Sequence, residues 1–412
     1  MSTSSAARRL AWTVGAIFAA ALAALPLSRP AAAGSGGAGM PGTDPQPPIG
    51  DSPFDRQGMW IWYVSRSERG SLPGIAQRAR QSGIGTVYIK AADGGDPWRQ
   101  FSRYLIQRLH QGGLDVCAWQ FVYGDHPRAE ARAAAAAVAK GADCFVIDAE
   151  GDYEGKYAAA DLYVRRLRAE AGASFPVSLA GFPYVDYHPA YPYSVFLGPG
   201  GAQYNQPQMY WKAIGTSVRG VYEHTYLFNR VWGRPIYPIG QTYQNPGRKP
   251  ITRFRRFAIN YGGLPPSWWS WQETNLQEWG ALGAGTGGAV VGYRPVTAHP
   301  ILRRGSRGDL VVWAQEHLVS AGATGLPVTG LFGPRTYRAT RVFQHDQGLR
   351  ADGVIGSATW RRLLRFQPVR IKWSGGQNRR ARSAGEPASG GRAPLSASLP
   401  ATGYEIDPGP TP

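Results

Sequence analysis

Acidic residues are scarce in this 412-residue chain: 27 Asp and Glu stand against 45 Lys and Arg, a formal net charge of +18. That deficit points to an anionic partner, whether nucleic acid, an anionic lipid surface or an acidic cell-wall polymer. Cysteine is rarer still. Cys117 and Cys144 are the only two, too few for a disulfide scaffold. Each begins an apolar, strand-like run, so the expectation is two buried free thiols, with one bridge between neighbouring strands as the alternative. The seven histidines are scattered with no HExxH or HxH grouping, which leaves a zinc site without ligands. Neither metal nor cofactor is expected. After Leu27 no apolar run is long enough to span a bilayer. What is plentiful is core material: 43% of the residues are hydrophobic and 12% aromatic, which excludes a wholly disordered chain.

The one long apolar run opens the chain. "MSTSSAARRLAWTVGAIFAAALAALPLSRPAAAG" carries Arg8 and Arg9, an apolar stretch from Leu10 to Leu27, and small residues at Ala31 and Ala33. This is the build of a secretory signal peptide over 1–33, cut after Ala33. An uncleaved anchor is the alternative, though Pro26 breaks the span, and the paired arginines also allow twin-arginine export. The expected mature protein is secreted or extracellular and monomeric, with no stable membrane span, and nucleic acid is demoted as a partner.

Residues 34–56 read as a Gly/Pro-rich linker. From Gly58 onward, short apolar runs alternate with stretches of helical spacing. The runs are "GMWIWYV", "GTVYIKAA", "DVCAWQFVY", "CFVIDAE", "PVSLAGF", "PQMYW", "RPIYPIGQ" and "SWWSWQ". Helical stretches include Ser71–Ser82, Trp98–Gln111, Ala129–Lys140, Ala158–Ala171, Ser217–Arg230 and Ile251–Asn260. Eight βα units over 57–283 fit an α/β fold of the (β/α)8 TIM-like barrel type. A doubly wound sheet is disfavoured because no Gly-rich phosphate turn follows the first strand.

A second linker, 284–299, leads to different composition. Within 300–366, "TGLFGPRTYRAT" (329–340) repeats as "DGVIGSATWRRL" (352–363). In each half a glycine turns the chain, Gly330 or Gly353, and a second glycine, Gly333 or Gly356, admits a helix. This stretch resembles the peptidoglycan-binding-like module, a small three-helix domain. The resemblance implies targeting to bacterial cell-wall peptidoglycan, and 16 Lys and Arg against 7 Asp and Glu from Ile301 onward fit an anionic wall. Residues 367–412 read as a disordered tail. Its "LPATG" (399–403) matches a sorting motif, but no hydrophobic span follows, so the match is taken as chance.

The scarce acids concentrate in "FVIDAEGDYEGKY" (145–157), at the end of the fourth apolar run. In a (β/α)8 barrel, catalytic residues sit at the C-terminal ends of strands. Strand alternation points Asp148 and Glu150 the same way, about 6–7 Å apart at Cβ. Two such carboxylates suit glycoside hydrolysis, in which one is protonated and the other charged. Glu150 is the candidate acid and Asp148 the candidate stabiliser; Asp152 and Glu154 are assigned to a loop and helix start. The D-x-E arrangement resembles family-25 muramidases, (β/α)8 enzymes that cut peptidoglycan glycan. That resemblance makes Glu150 the proton donor. Those enzymes also place an Asp on the first strand, which "GMWIWYVS" lacks, and their later Asp has no match in "IYPIGQTYQ". Asp186 and Glu273, each following a strand end, are candidates to replace the missing acid.

Lys90 closes the second run and is expected either to pair with Asp148 or Glu150 or to be exposed. Trp62, Trp119, Tyr184, Tyr210, Trp211, Tyr243, Trp269 and Trp271 crowd strand ends, with Gln120, Gln208, Gln241 and Gln272 among them. Sugar faces stack on aromatic rings and hydroxyls bond amides. Lys90, Trp119, Tyr210, Trp211, Gln241 and Trp271 are therefore the expected substrate contacts. The leading expectation is a secreted, wall-directed glycoside hydrolase of the muramidase kind. The alternative is a non-catalytic, lectin-like barrel. An amidase or endopeptidase finds no zinc ligands and no Cys/His nucleophile pair.

Overall fold

A computed structural model describes residues 52–373. The expected signal peptide, most of the first linker and most of the tail lie outside the described residues. Eight parallel strands carry the architecture: β1 (Gly58–Ile61), β2 (Thr86–Asp93), β3 (Asp115–Val122), β4 (Cys144–Ala149), β5 (Val177–Gly181), β6 (Tyr204–Pro207), β7 (Ile239–Gln241) and β8 (Ser267–Trp269). They are hydrogen-bonded in the order β6-β5-β4-β3-β2-β1-β8-β7. Parallel bridges Asn205 to Ile236 and Gln208 to Ile239 bring the two ends together into a ring.

Alternation explains the continuous apolar runs, because both faces of each strand are buried. Trp60, Tyr88, Trp119, Val146, Ala180, Tyr204 and Ile239 fill the barrel interior. Met59, Ile61, Val87, Ile89, Val116, Phe145 and Leu179 face the outer helices. Residues 52–55, read as linker, are instead a capped turn whose Phe54 plugs the interior, 4.7 Å from the ring of Tyr204. Cys117 and Cys144 are not free. They are directly in register on β3 and β4, both inward, with Cα atoms 4.5 Å apart, and they form a disulfide.

The outer layer comprises α1 (Leu72–Gln81), α2 (Arg103–Gln111), α3 (Pro127–Val138), α4 (Tyr157–Ala171), α5 (Val218–Asn229), α6 (Arg248–Asn260) and α7 (Leu276–Gly283). Ser71, Ser102 and Ser217 cap α1, α2 and α5 with their side chains, and Asn275 with Glu278 closes a capping box on α7. One position is underfilled: between β5 and β6 the chain offers only two short turns of helix, Val185–Tyr187 and Tyr193–Phe196.

The C-terminal region fills that position. Its helices are α8 (Asp309–Ser320), α9 (Pro334–Asp346) and α10 (Ser357–Leu363). The Asp309 carboxylate accepts from the Ser194 amide at 2.7 Å and the Ser194 hydroxyl at 2.6 Å, while its own N–H donates to the Pro189 carbonyl. Trp313 Nε1 donates to the Val231 carbonyl at 2.7 Å, and its ring packs on Trp232. Residues 367–373 are ordered against α4, in contrast to the disordered tail expected from 367: Trp373 packs 4.4 Å from Tyr157, and Arg370 pairs with Asp161.

Two buried glutamines account for the sequence half-repeat. Gln315 accepts from the amides of Thr329 and Gly330 and donates to Leu331 O and Thr336 Oγ1. Gln344 repeats this with Gly353, Val354 and Thr359. Gly330 (φ 72°) and Gly353 (φ 75°) occupy the left-handed region the turns require.

Candidate active site

Strand β4 directs Asp148 into the barrel mouth, and the chain carries Glu150 just beyond it. Gln208, which follows β6, bridges them: its Nε2 donates to Asp148 Oδ1 and to Glu150 Oε1, both at 3.0 Å. Burial, and next the charge of Glu150, push Asp148 well above the usual carboxylate range, while Lys90 opposes the shift. Glu150 is also raised, mainly by burial, with Gln208 and His188 opposing. Two desolvated carboxylates on one amide favour retention of a proton between them.

Across the mouth, β8, β1 and β2 supply an aromatic wall. Trp62 lies 5.7 Å from Trp269 and 6.2 Å from Trp119, and Tyr63 packs between Trp62 and Trp98. The Trp269–Ser270 peptide bond is cis. Tyr210 and Tyr243 meet edge to face beside the pair, and the charges of Glu150 and Glu273 act on both.

Lys90 is neither exposed nor bonded to Asp148 or Glu150. Its ion partner is Asp93, 3.0 Å away. Trp119 is buried beneath Lys90 with Nε1 on the Ile61 carbonyl, so it forms floor rather than rim. Trp211 turns outward onto Phe254 of α6, and Trp271 packs on Trp279 of α7. Gln241 accepts from the amides of Lys212 and Ala213 and donates to Tyr243 O. These last three side chains hold loops and layers together, away from the acid pair. Asp186 accepts from His224 Nε2 at 2.7 Å, and Tyr184 stacks on that imidazole. Glu273 accepts from Ser270 Oγ and lies toward the Tyr210–Tyr243 corner.

Sequence reasoning missed Asp93, Trp98 and Tyr123. The Asp93 carboxylate accepts from Tyr123 OH at 2.8 Å, and Trp98 faces Lys90 Nζ at 4.8 Å. A register shift between Lys90 and Ala92 breaks the period of two, so counting alternate residues from Lys90 does not turn Asp93 inward. Among the described residues no group of three His, Cys, Asp or Glu side chains is placed to hold a metal ion, and no helix is long and apolar enough to cross a membrane.

Comparison with known proteins identifies the C-terminal region. Residues 307–363 match the family model described as "Putative peptidoglycan binding domain". An uncharacterised protein of Kitasatospora aureofaciens is 40% identical over 68 residues, 16% of this chain and 58% of that protein. The zinc D-Ala-D-Ala carboxypeptidase of Streptomyces albus G is 38% identical over 68 residues, 16% of this chain and 27% of the enzyme. The chain thus spans less than two thirds of either relative. Among solved structures, a peptidoglycan-binding protein of Clostridioides difficile is 41% identical over 16% of this chain and 40% of its own, with a TM-score of 0.15. The barrel aligns with the spore cortex-lytic enzyme SleL of Bacillus cereus at 11% identity and TM-score 0.42, covering 55% and 73% of the two chains. A family 25 glycosyl hydrolase of Bacillus anthracis aligns at 14% identity and TM-score 0.27, covering 36% and 69%.

Proposed function

We propose that this chain is a cell-wall-directed glycoside hydrolase that cleaves peptidoglycan glycan, with Glu150 as proton donor and Asp148 as the carboxylate that steadies developing positive charge. The observation that carries the reading is the Asp148–Glu150 pair, Asp148 buried and Glu150 half-buried, bridged by the Gln208 amide at the mouth of a (β/α)8 barrel. One proton shared between two such carboxylates supplies the acid and the anion that glycoside hydrolysis needs. Trp62 and Trp269 line the opposite side and Tyr210 stands beside the pair, surfaces on which the apolar faces of a sugar would stack. The peptidoglycan-binding region supports the choice of polymer, and the N-terminal segment supports export. The groove between the end of α8, the turn that follows it and α9, lined by Leu318, Leu326, Arg335, Arg338, Val342 and Asp346, is the surface we assign to wall contact.

Incubating the purified protein, without residues 1–33, with wall suspensions should clear them and release new reducing ends. Their absence across a broad pH range on several wall types removes this reading. Release of free amines without reducing ends would favour a peptide-cleaving activity instead. A second reading, a non-catalytic carbohydrate-binding barrel, draws on the absence of acids from the ends of β1 and β7. There Trp62 and Gln241 stand, and Gln241 is committed to backbone groups. It expects wall binding of equal strength with and without Glu150, and no bond cleavage.

A further inference from the structure

Beyond β1 the chain makes a short helical turn, Val64–Arg66, and then holds Glu68 (φ 46°) and Arg69 (φ 58°) in the left-handed region. Residues with a Cβ seldom adopt that backbone unless their surroundings impose it. Here the Glu68 carboxylate is tied to Arg78 of α1 at 3.2 Å, and two side-chain amides clamp the segment before it. Gln272 accepts from the Trp62 amide at 3.3 Å and donates to Tyr63 O and Ser67 Oγ, each at 2.8 Å. Gln100 accepts from the Val64 amide at 3.0 Å and donates to the carbonyls of Trp62 and Lys90. The loop has one shape.

What the clamps fix is a row of rings that ends in a charge. After β2, Asp96 and Pro97 fold back to pair with Asp93 and Ala92, and the Trp98 amide donates to Ala91 O at 2.8 Å. This brings the Trp98 ring to 5.4 Å from Tyr63; Tyr63 in turn lies 5.8 Å from Trp62, their planes 4° apart, and Trp62 leads to Trp269 in the mouth. Trp62, Tyr63 and Trp98 are all partly exposed. Over the Tyr63 ring, 4.7 Å from its centre, stands the guanidinium of Arg66. Arg66 is exposed, and no carboxylate among the described residues pairs with it. Stacking occupies the face of a guanidinium and leaves its in-plane N–H donors for a planar acid. We propose that Tyr63, Trp98 and Arg66 form a second sugar subsite, outboard of the Trp62–Trp269 wall, that selects glycan bearing a carboxylate on a ring substituent. The inference rests on the wall-glycan reading above and narrows it, because a neutral glycan offers rings to stack but nothing for Arg66. Both the lactyl acid of muramic acid and the acids of a peptide attached to it have this chemistry. A platform already held by Gln100 and Gln272 need not be ordered when the sugar arrives.

The test is a 15N-indole NMR titration of the chain from residue 34 onward carrying Glu150→Gln, so that no probe is consumed. Trp62→Phe and Trp98→Phe assign the two signals that report on this wall rather than on the C-terminal module. The probes are a peptide-free tetrasaccharide containing muramic acid, the same tetrasaccharide with its peptides, and the neutral tetrasaccharide of N-acetylglucosamine. At least one acidic probe should bind about tenfold more tightly than the neutral one, the scale of one hydrogen bond to a charged group, and which one does so identifies the carboxylate. Arg66→Gln should abolish that preference and leave the affinity for the neutral probe unchanged. Arg69→Gln, an equal loss of charge from the same loop, should keep it. Equal affinities for all three probes, indole signals that do not move, a preference that survives Arg66→Gln, or equal losses in the two variants overturn the proposal. The titration needs no bond cleavage. Wall clearing without the preference would remove this subsite and leave the hydrolase reading, and the preference without clearing would do the reverse.

Discussion

Single-atom changes at the acid pair separate chemistry from shape. Glu150→Gln keeps the side chain's outline but removes the transferable proton, so turnover should fall about 10²–10⁴-fold, the usual contribution of general acid–base catalysis. Asp148→Asn should also lower turnover, because the stabilising charge is lost. Asp152→Asn and Glu154→Gln should matter far less, and all four should sediment with wall as the parent does. One reducing-end assay decides: if Asp152 or Glu154 proves the more damaging site, the roles given to Asp148 and Glu150 are wrong. The pair was legible because alternation in "FVIDAE" sends 148 and 150 to one side. The partner of Lys90 was not, since the irregularity before Ala92 turns Asp93 inward. The four amides illustrate a further limit. Strand-end position is visible in sequence, but only Gln208 faces the acids, whereas Gln120, Gln241 and Gln272 hold backbone and core groups.

The elements were read more reliably than the side chains they carry. Helical spacing at 71–82, 217–230 and 251–260 corresponds to α1, α5 and α6 within a few residues. Eight complete βα units were expected, but the sector after "PVSLAGF" lacks a full helix of its own, because the element that covers it comes from more than a hundred residues downstream. Trp313 of α8 is central to the cover: it is 3% exposed, lies against Trp232 and bonds the Val231 carbonyl. Trp313→Ala should destabilise the molecule by about 3–5 kcal/mol, the range for truncating a large core aromatic. The loss should appear in one cooperative urea transition of barrel and module together. Separate transitions, with the barrel's midpoint unchanged, would show that α8 is an appendage.

At the scale of the whole molecule, the joint between barrel and module contains buried acids. Asp309 is pushed up to about 7 by burial, against hydrogen bonds from Ser194, and Glu316 is raised by burial and by Asp309. A carboxylate whose folded pKa exceeds its unfolded value, about 3.9, stabilises most below that value and loses the contribution as pH rises through about 7. Asp309→Asn removes this titration. The parent's melting temperature should therefore fall relative to the variant between pH 4 and 7. Buried His299 and His317, pushed down to about 4, act in the opposite sense below about pH 6.5 in both proteins, so the difference between the curves carries the test. Parallel curves would reject it. The sequence read the module as a unit beyond a linker, whereas 284–299 is pinned along α6 by Arg256 and Asn260. A binding domain on a slack tether lets its partner graze in a circle around each anchorage. Here the helical layer is completed by the module itself, so, on the function proposed above, a wall polymer held at α8 and α9 would meet the mouth at one offset and one bearing. On that reading the chain would cut at a set distance from where it holds, and would have to let go in order to advance.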